Sequence, residues 1–331
     1  MSKVLFCVAG ALLVALSVGA LGEGTGEGSF ARNGIGARAL ALGGAFVAVA
    51  DDASAGFWNP AGIGSLAGYR VGGTHVVGGV FGDAGITFQD LSLSARPVQT
   101  EGVPSFGLAI TWINEHIADI PLTGDDGGTF TDDQSLFLLS LSLPFVGEGG
   151  WTIAAGANFK YYRHTILTGV GSGVGFDLGL LFKGTLGDIP VCLGAVSMDT
   201  LETTVSWQGT THDPDNYVPW VVKLGASTIL FDDMVRLAGD VDLSPSPVHS
   251  DSPRYSYLDR LHLGTEILPI GELAIRGGVI FWRDGTVRLS AGLGIVPWSG
   301  LTIHYAYVQN EYGLGDTHIL SAEFALLPPA R

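Results

Sequence analysis

An all-β transmembrane barrel of about 14 antiparallel strands with a short N-terminal helical plug is the fold class the sequence predicts. Three observations predict it. Of 331 residues, 47% are hydrophobic and only 15% charged, against about 25% charged in ordinary soluble domains. The chain opens with an export-type leader, yet after Ala20 it has no second run of about 18 apolar residues. The remainder alternates polar and apolar residues at period two, as in Arg260–Ile267, Val287–Ile295 and Leu301–Tyr307. An exported, charge-poor chain without a spanning helix satisfies its backbone in a bilayer only as a closed barrel.

Residues 1–22 read as the leader. Lys3 gives a positive start, Val4 to Ala20 is an unbroken apolar or small run, and Val18-Gly19-Ala20 offers small residues for cleavage. The competing reading is an uncleaved anchor, for which the run is short against about 20 residues. Cys7 lies inside the leader, so Cys192 is left alone and no intrachain disulfide is expected.

Residues 23–68 precede the first strand and read as a plug or hatch. Ala37–Ala50 is rich in helix formers, but Gly43-Gly44 would weaken a long helix. Asn59 before Pro60 suits a helical start, with Asn as cap and Pro in the first helical position.

Residues 69–326 read as the barrel, with strands over 69–81, 85–96, 105–115, 135–144, 151–163, 173–184, 189–200, 220–230, 235–243, 259–268, 273–282, 286–296, 301–308 and 317–326. Most reach the span of about 9–11 residues that a tilted transmembrane strand needs. Most odd-numbered connections are long (116–134, 164–172, 201–219, 244–258, 309–316) and the even-numbered ones short, with short exceptions near Gly82-Asp83 and at Arg283-Asp284-Gly285; this is the outer-membrane pattern of outer loops and periplasmic turns. A parity change between Phe88 and Leu91 suggests a bulge near Gln89-Asp90. Glycines within strands fit the curvature of a closed sheet. Trp112, Trp151, Trp282, Trp298, Tyr305 and Tyr307 are candidates for aromatic girdles. Residues 327–331 form a short tail.

The faces opposite the apolar ones carry Lys160, Asp177, Lys183, Lys223, Arg236, Asp240, Asp242, His262, Glu266, Arg276, Arg288 and His304, which the barrel reading turns toward the lumen. They would form either a network that stiffens a polar interior or a site in which Lys223, Arg276 or Arg288, with Glu266 and Asp240 nearby, meets the carboxylate of an amphipathic ligand. The net charge of −16 argues against nucleic acid as a partner. No nucleophile elbow, dinucleotide fingerprint or zinc-ligand spacing stands in a suitable context, so neither an enzyme nor a cofactor is expected. Asp125-Asp126 and Asp132-Asp133 do not match the calcium-loop spacing and read as an acidic solvated loop.

Within residues 34–66, Gly36-Ala37-Arg38, Gly43-Gly44-Ala45-Phe46, Ala50-Asp51-Asp52 and Trp58-Asn59-Pro60-Ala61-Gly62 together resemble the N-terminal signature of the PorV/PorQ group of the FadL-like family of outer-membrane barrels. The resemblance implies a barrel of about 14 strands in the outer membrane of a Gram-negative-type envelope, with lipid as its surroundings. In the fatty-acid transporters of that family an Asn-Pro-Ala element lies in the plug near bound ligand, which points to Asn59, Pro60 and Ala61, with Phe57, Trp58 and Gly62 beside them. The other reading of these residues is a turn that anchors the plug to the wall. Two functions follow from the resemblance: a channel or carrier for hydrophobic or amphipathic small molecules, or a PorV-like scaffold for secretion-system proteins. The first expects a continuous apolar tunnel beside residues 57–63, and the second a lumen blocked by side chains.

Overall fold

The computed structural model describes residues 29–77, 86–96, 105–122, 128–147, 149–209, 216–245, 258–309 and 316–326. The leader, the first six residues of the expected plug and the C-terminal tail lie outside these residues, as do Asp125 and Asp126. No helix among the described residues is long and apolar enough to cross a membrane.

Two short α-helices, α1 (Ala37–Ala41) and α2 (Ala55–Trp58), and two 3-10 turns, Ser29–Asn33 and Pro60–Ser65, precede the strands. The strands are β1 (Gly68–Val77), β2 (Ile86–Arg96), β3 (Gly107–Pro121), β4 (Thr129–Val146), β5 (Thr152–Ile166), β6 (Gly169–Leu186), β7 (Ile189–Met198), β8 (Thr203–Gln208), β9 (Asn216–Val218), β10 (Val221–Leu230), β11 (Val235–Leu243), β12 (Arg260–Ile270), β13 (Leu273–Trp282), β14 (Val287–Trp298), β15 (Leu301–Val308) and β16 (Thr317–Ala325). Each barrel strand pairs antiparallel with its sequence neighbours, β7 pairs with β10, and β1 pairs with β16, closing a ring of 14 strands. β8 and β9 stand outside that ring as a hairpin on the outer half of β6.

Radial polarity separates this barrel from a soluble one. The outward positions Leu139, Phe159, Phe176, Leu178, Leu289 and Leu293 are each between 46% and 54% exposed. Their neighbours Ser140, Asn158, Lys160, Asp177 and Ser290 point inward and are buried. Apolar residues outside and polar residues inside are the arrangement a bilayer demands, and the fold is that of an outer-membrane barrel.

Residues 29–66 lie within the ring and form most of the buried core, with Ile35, Ala37, Leu42, Phe46, Ala50 and Ile63 fully buried. Of the helix-forming stretch 37–50 only α1 is helical, because Gly43 and Gly44 take φ of 67° and 76° and turn the chain back. Asn59 caps the following turn, its side chain accepting a hydrogen bond from Ala61 N, with Pro60 in the first position.

Several local expectations are corrected. No bulge occurs near Gln89-Asp90; β2 keeps a continuous register with both neighbours, and Phe88 breaks the apolar parity because it points inward to the core. The loop over 116–134 narrows to a short connection, since β3 and β4 extend to Pro121 and from Thr129. Asp132 and Asp133 are therefore strand residues, bonded to His164 (2.7 Å) and His116 (3.0 Å). Trp282 is no girdle residue: it points inward, beneath the guanidiniums of Arg260 and Arg288. Glycines inside the strands are holes for the inner segment; a Cβ on Gly156 would overlap Pro60 and Ala61.

Leu139→Arg is expected to destabilise the barrel by about 2–4 kcal/mol in lipid, measured by reversible denaturant refolding into vesicles. A change within about 0.5 kcal/mol, normal for an exposed site in water, would contradict the bilayer-facing assignment.

Candidate functional site

The inner segment divides the lumen. Above it, toward the end of the long connections, lies a cavity of about 150 Å³. That end faces outward in an outer-membrane barrel. The floor is made by Gly34, Leu40, Gly43, Gly44, Phe57 and Trp58, and the wall by the outer ends of β1, β2, β5, β7 and β10–β16, including Val76, Phe88, Tyr162, Ile280, Trp282 and Ile319.

Trp58 is fixed from several sides. Its indole N–H donates to Ile35 O at 3.0 Å, its ring meets Phe57 and Phe46 edge to face, and the ammonium of Lys223 lies 5.9 Å from the ring centroid. Gly34, at φ 79°, leaves the space that the ring fills; a Cβ there would come within 2.9 Å of it.

Beneath the floor, inward polar side chains bond the main chain of the inner segment. Asp240 Oδ2 accepts from Phe46 N (2.6 Å) and Val47 N (2.8 Å). Ser290 Oγ accepts from Gly43 N and donates to Ala41 O, while His262 Nδ1 lies 2.6 Å from Gly43 O. Ser142 Oγ donates to Ala61 O, Asn158 donates to Gly56 O, and Glu323 accepts from Ala53 N. Arg38 reaches Glu266 through two bonds of 2.9 and 3.1 Å and also pairs with Asp51, which Arg236 meets at 3.0 Å. Arg276 closes the network on Glu266 at 2.8 Å and on His304 at 3.2 Å. Burial opposes the charge on Asp51, but Arg38 and Arg236 outweigh it and hold the carboxyl well below the usual carboxylate range. Burial likewise opposes the charge on Arg38, and Asp51 with Glu266 raises its pKa well above the ordinary value.

The expected site residues therefore fall into two places. Phe57, Trp58, Lys223 and Arg288 border the outer cavity. Asn59, Pro60, Ala61 and Gly62 lie below it against β4–β6; Asn59 donates to Val47 O and to Leu180 O at 3.0 Å each, which is the anchoring role. Arg276, Glu266 and Asp240 belong to the network under the floor, so Arg276 does not reach the cavity. Lys223 itself is paired with Asp242 at 2.9 Å. Sequence reasoning missed Trp282, Phe88, Tyr162 and Asp199 as cavity residues. Among the described residues no group of His, Cys, Asp and Glu side chains could hold a metal ion.

Among the described residues the cavity ends on Trp58, and Asn59, Ala61 and Ile63 are fully buried, so the expected apolar tunnel does not continue there beside residues 57–63.

The fold is shared with solved channels and transporters. The CymD monoaromatic hydrocarbon channel matches with a TM-score of 0.59 at 12% identity, over 89% of this chain and 98% of the other. The toluene transporter TbuX of Ralstonia pickettii matches at 0.55 and 14% identity, over 88% and 98%. The P. putida toluene transporter TodX matches at 0.54 and 13% identity, over 89% and 99%. No protein-family model matches the chain, and no curated protein is similar to it.

Asn59→Ala removes two buried donors and a cap at once and is expected to lower the local opening free energy of residues 55–65 by about 2–3 kcal/mol, read by hydrogen exchange, while strands β11–β14 keep their protection. The Asp51 pairing gives a second test. Its folded pKa lies below the unfolded value of about 3.9, so its contribution is complete above about pH 4 and is lost as the pH falls toward the folded value. The difference in inner-segment protection between the native protein and Asp51→Asn should be constant at neutral pH and shrink only below about pH 4. A difference that shrinks near neutrality would contradict the pairing.

Proposed function

We propose that this chain is an outer-membrane channel for hydrophobic or amphipathic small molecules, with residues 29–66 acting as its plug. The observation that carries the reading is the outer cavity: an aromatic floor of Phe57 and Trp58 and a wall that is apolar at Val76, Phe88, Ile280, Trp282 and Ile319 and charged at Lys160, Lys223, Arg260 and Arg288, at the loop end of a barrel. Its volume of about 150 Å³ equals that of an engineered apolar cavity known to take up benzene. The shared fold with monoaromatic hydrocarbon channels is in keeping with this. A ligand would enter from the outer loops and rest on Trp58. Lys223 and Arg288 would receive an anionic end where the ligand has one. Onward passage then needs movement of the plug or of the wall, because the lumen below Trp58 is filled.

That filled lumen also suits the second reading, a PorV-like scaffold for secretion-system proteins, which would need no passage at all. Equilibrium dialysis of toluene against the detergent-extracted barrel separates the two. The channel reading expects one saturable site per barrel, weakened at least about tenfold in Trp58→Ala, as for a buried aromatic anchor. A barrel that binds no toluene and carries a stoichiometric protein partner from its own membrane would replace the channel with the scaffold.

A further inference from the structure

A second, smaller space lies apart from the outer cavity, at the seam where β1 pairs with β16 and closes the ring. It measures about 20 Å³ and sits between the inner segment and the inward faces of β1, β2, β15 and β16. One water-sized particle needs about 10–15 Å³, so the space suits a single small particle and no organic ligand.

Asp90 borders this space. It is only 7% exposed, its Oδ1 has no hydrogen-bond partner, and no ion pair joins it to another described residue. A buried carboxylate without a counter-charge is costly. The two other carboxylates at the space are already matched. Asp52 accepts from Arg38 and from the Ser54 hydroxyl, and Glu323 accepts from Arg70 and from Ala53 N. Arg38 is committed elsewhere, its nitrogens bonded to Glu266, Asp51 and Asp52. His304 brings no charge. Its Nδ1 lies 3.2 Å from Arg276 Nη1, and a guanidinium can only donate, so that ring nitrogen is the acceptor and the imidazole is neutral.

The remaining oxygens around Asp90 are hydroxyls. Thr74 Oγ1 accepts from Gly36 N at 3.2 Å, and Ser321 Oγ accepts from Ala37 N at 3.1 Å. Each keeps a further lone pair. Ser92 Oγ lies 3.2 Å from Thr111 Oγ1. One unmatched carboxylate among hydroxyl oxygens is a donor set for a hard cation. It lacks the several anionic or imidazole ligands that zinc and calcium sites gather. The guanidiniums of Arg38 and Arg70 at the neighbouring carboxylates further disfavour a double positive charge.

We propose that this space binds one dehydrated monovalent cation of sodium size, held by Asp90 Oδ1 with the hydroxyls of Thr74, Ser92 and Ser321. The ion supplies the charge that Asp90 lacks. It also joins β1, β2 and β16 across the seam that closes the ring, beside residues 52–54 of the inner segment. The site goes beyond the channel reading and is equally compatible with a scaffold.

Sodium binding to the full chain, refolded into a non-ionic detergent, tests the site. Radiolabelled sodium chloride is titrated by equilibrium dialysis, with N-methylglucamine chloride holding the ionic strength constant. The native barrel should take up one sodium per chain and saturate. Asp90→Asn, which keeps the shape and removes the charge, should take up none. Ser92→Ala should bind about tenfold more weakly, as for one lost oxygen on a charged group. The folded band in heat-modifiable gels should survive to higher temperature in sodium than in N-methylglucamine for the native protein, because an ion that binds only the folded state stabilises it. For Asp90→Asn the two salts should give the same midpoint. No saturable uptake by the native barrel, or equal uptake by the native barrel and Asp90→Asn, would overturn the site and leave Asp90 as a buried acid or a partner of buried water. If Asp90→Asn gives no folded band, Ser92→Ala and Thr74→Val carry the comparison, and unchanged uptake in both would overturn it equally.

Discussion

The structure depends on one requirement: a chain that is mostly irregular must run through the middle of a barrel where water does not reach its backbone. Residues 42–54 form no helix or strand; turn bonds such as Ala45 N to Leu42 O and Ala50 N to Phe46 O satisfy part of their main chain, but Phe46 N, Val47 N and Ala53 N bond wall side chains instead, and a buried backbone group without a partner costs as much as a lost hydrogen bond. The wall supplies the partners. Asp240, Ser290, His262, Ser227 and Glu323 each project inward at the height of the main-chain group they bond. A lumen that looks charged and polar from its composition is in this part a template for one particular path of the inner segment.

The ionic groups follow the same logic. Arg38 is carried by the inner segment, while Glu266, Arg236 and Arg276 are carried by the wall. Pairs of this kind return little net stability after desolvation, but removing one member leaves a charge stranded. Their effect is to make one placement of α1, which packs on β13–β16 and reaches β12 through Arg38, far better than any other. The glycine holes act in the same direction without charge: Gly156 and Gly179 let Asn59-Pro60-Ala61 approach the wall, and any side chain there would push the segment out of register.

Much of this was legible in the sequence because lipid imposes a simple rule on each strand. Wherever a strand crosses the bilayer, outward residues are apolar, and the boundaries of β10–β16 emerge within a few residues from alternation alone. The rule lapses where strands rise beyond the lipid. The outer ends of β3 and β4 carry Asp119, Asp132 and Asp133 and so resemble a loop. Trp282 was within reach: it shares the parity of Arg276 and Ile280, so counting from Arg276 turns it inward. The Asn59-Pro60 cap is a local signal and was visible. The place of Asp199 at the cavity was not, because it follows from the register offset of β7 and β8 against β6, which no single strand records.

The distribution of bonds also bears on how a ligand would leave the cavity. The inner segment is held from nearly every side of the ring, by β1, β4, β5, β6, β10, β11, β12, β14 and β16. Withdrawing it as a unit would break these bonds together and leave wall groups such as Asp240 and Ser290 without their hydrogen-bond partners, and each such group costs about 1–3 kcal/mol or more when charged. Expulsion of the whole segment is therefore the costliest way to open the lumen below Trp58, and a smaller rearrangement that keeps most of these wall bonds strands fewer buried polar groups.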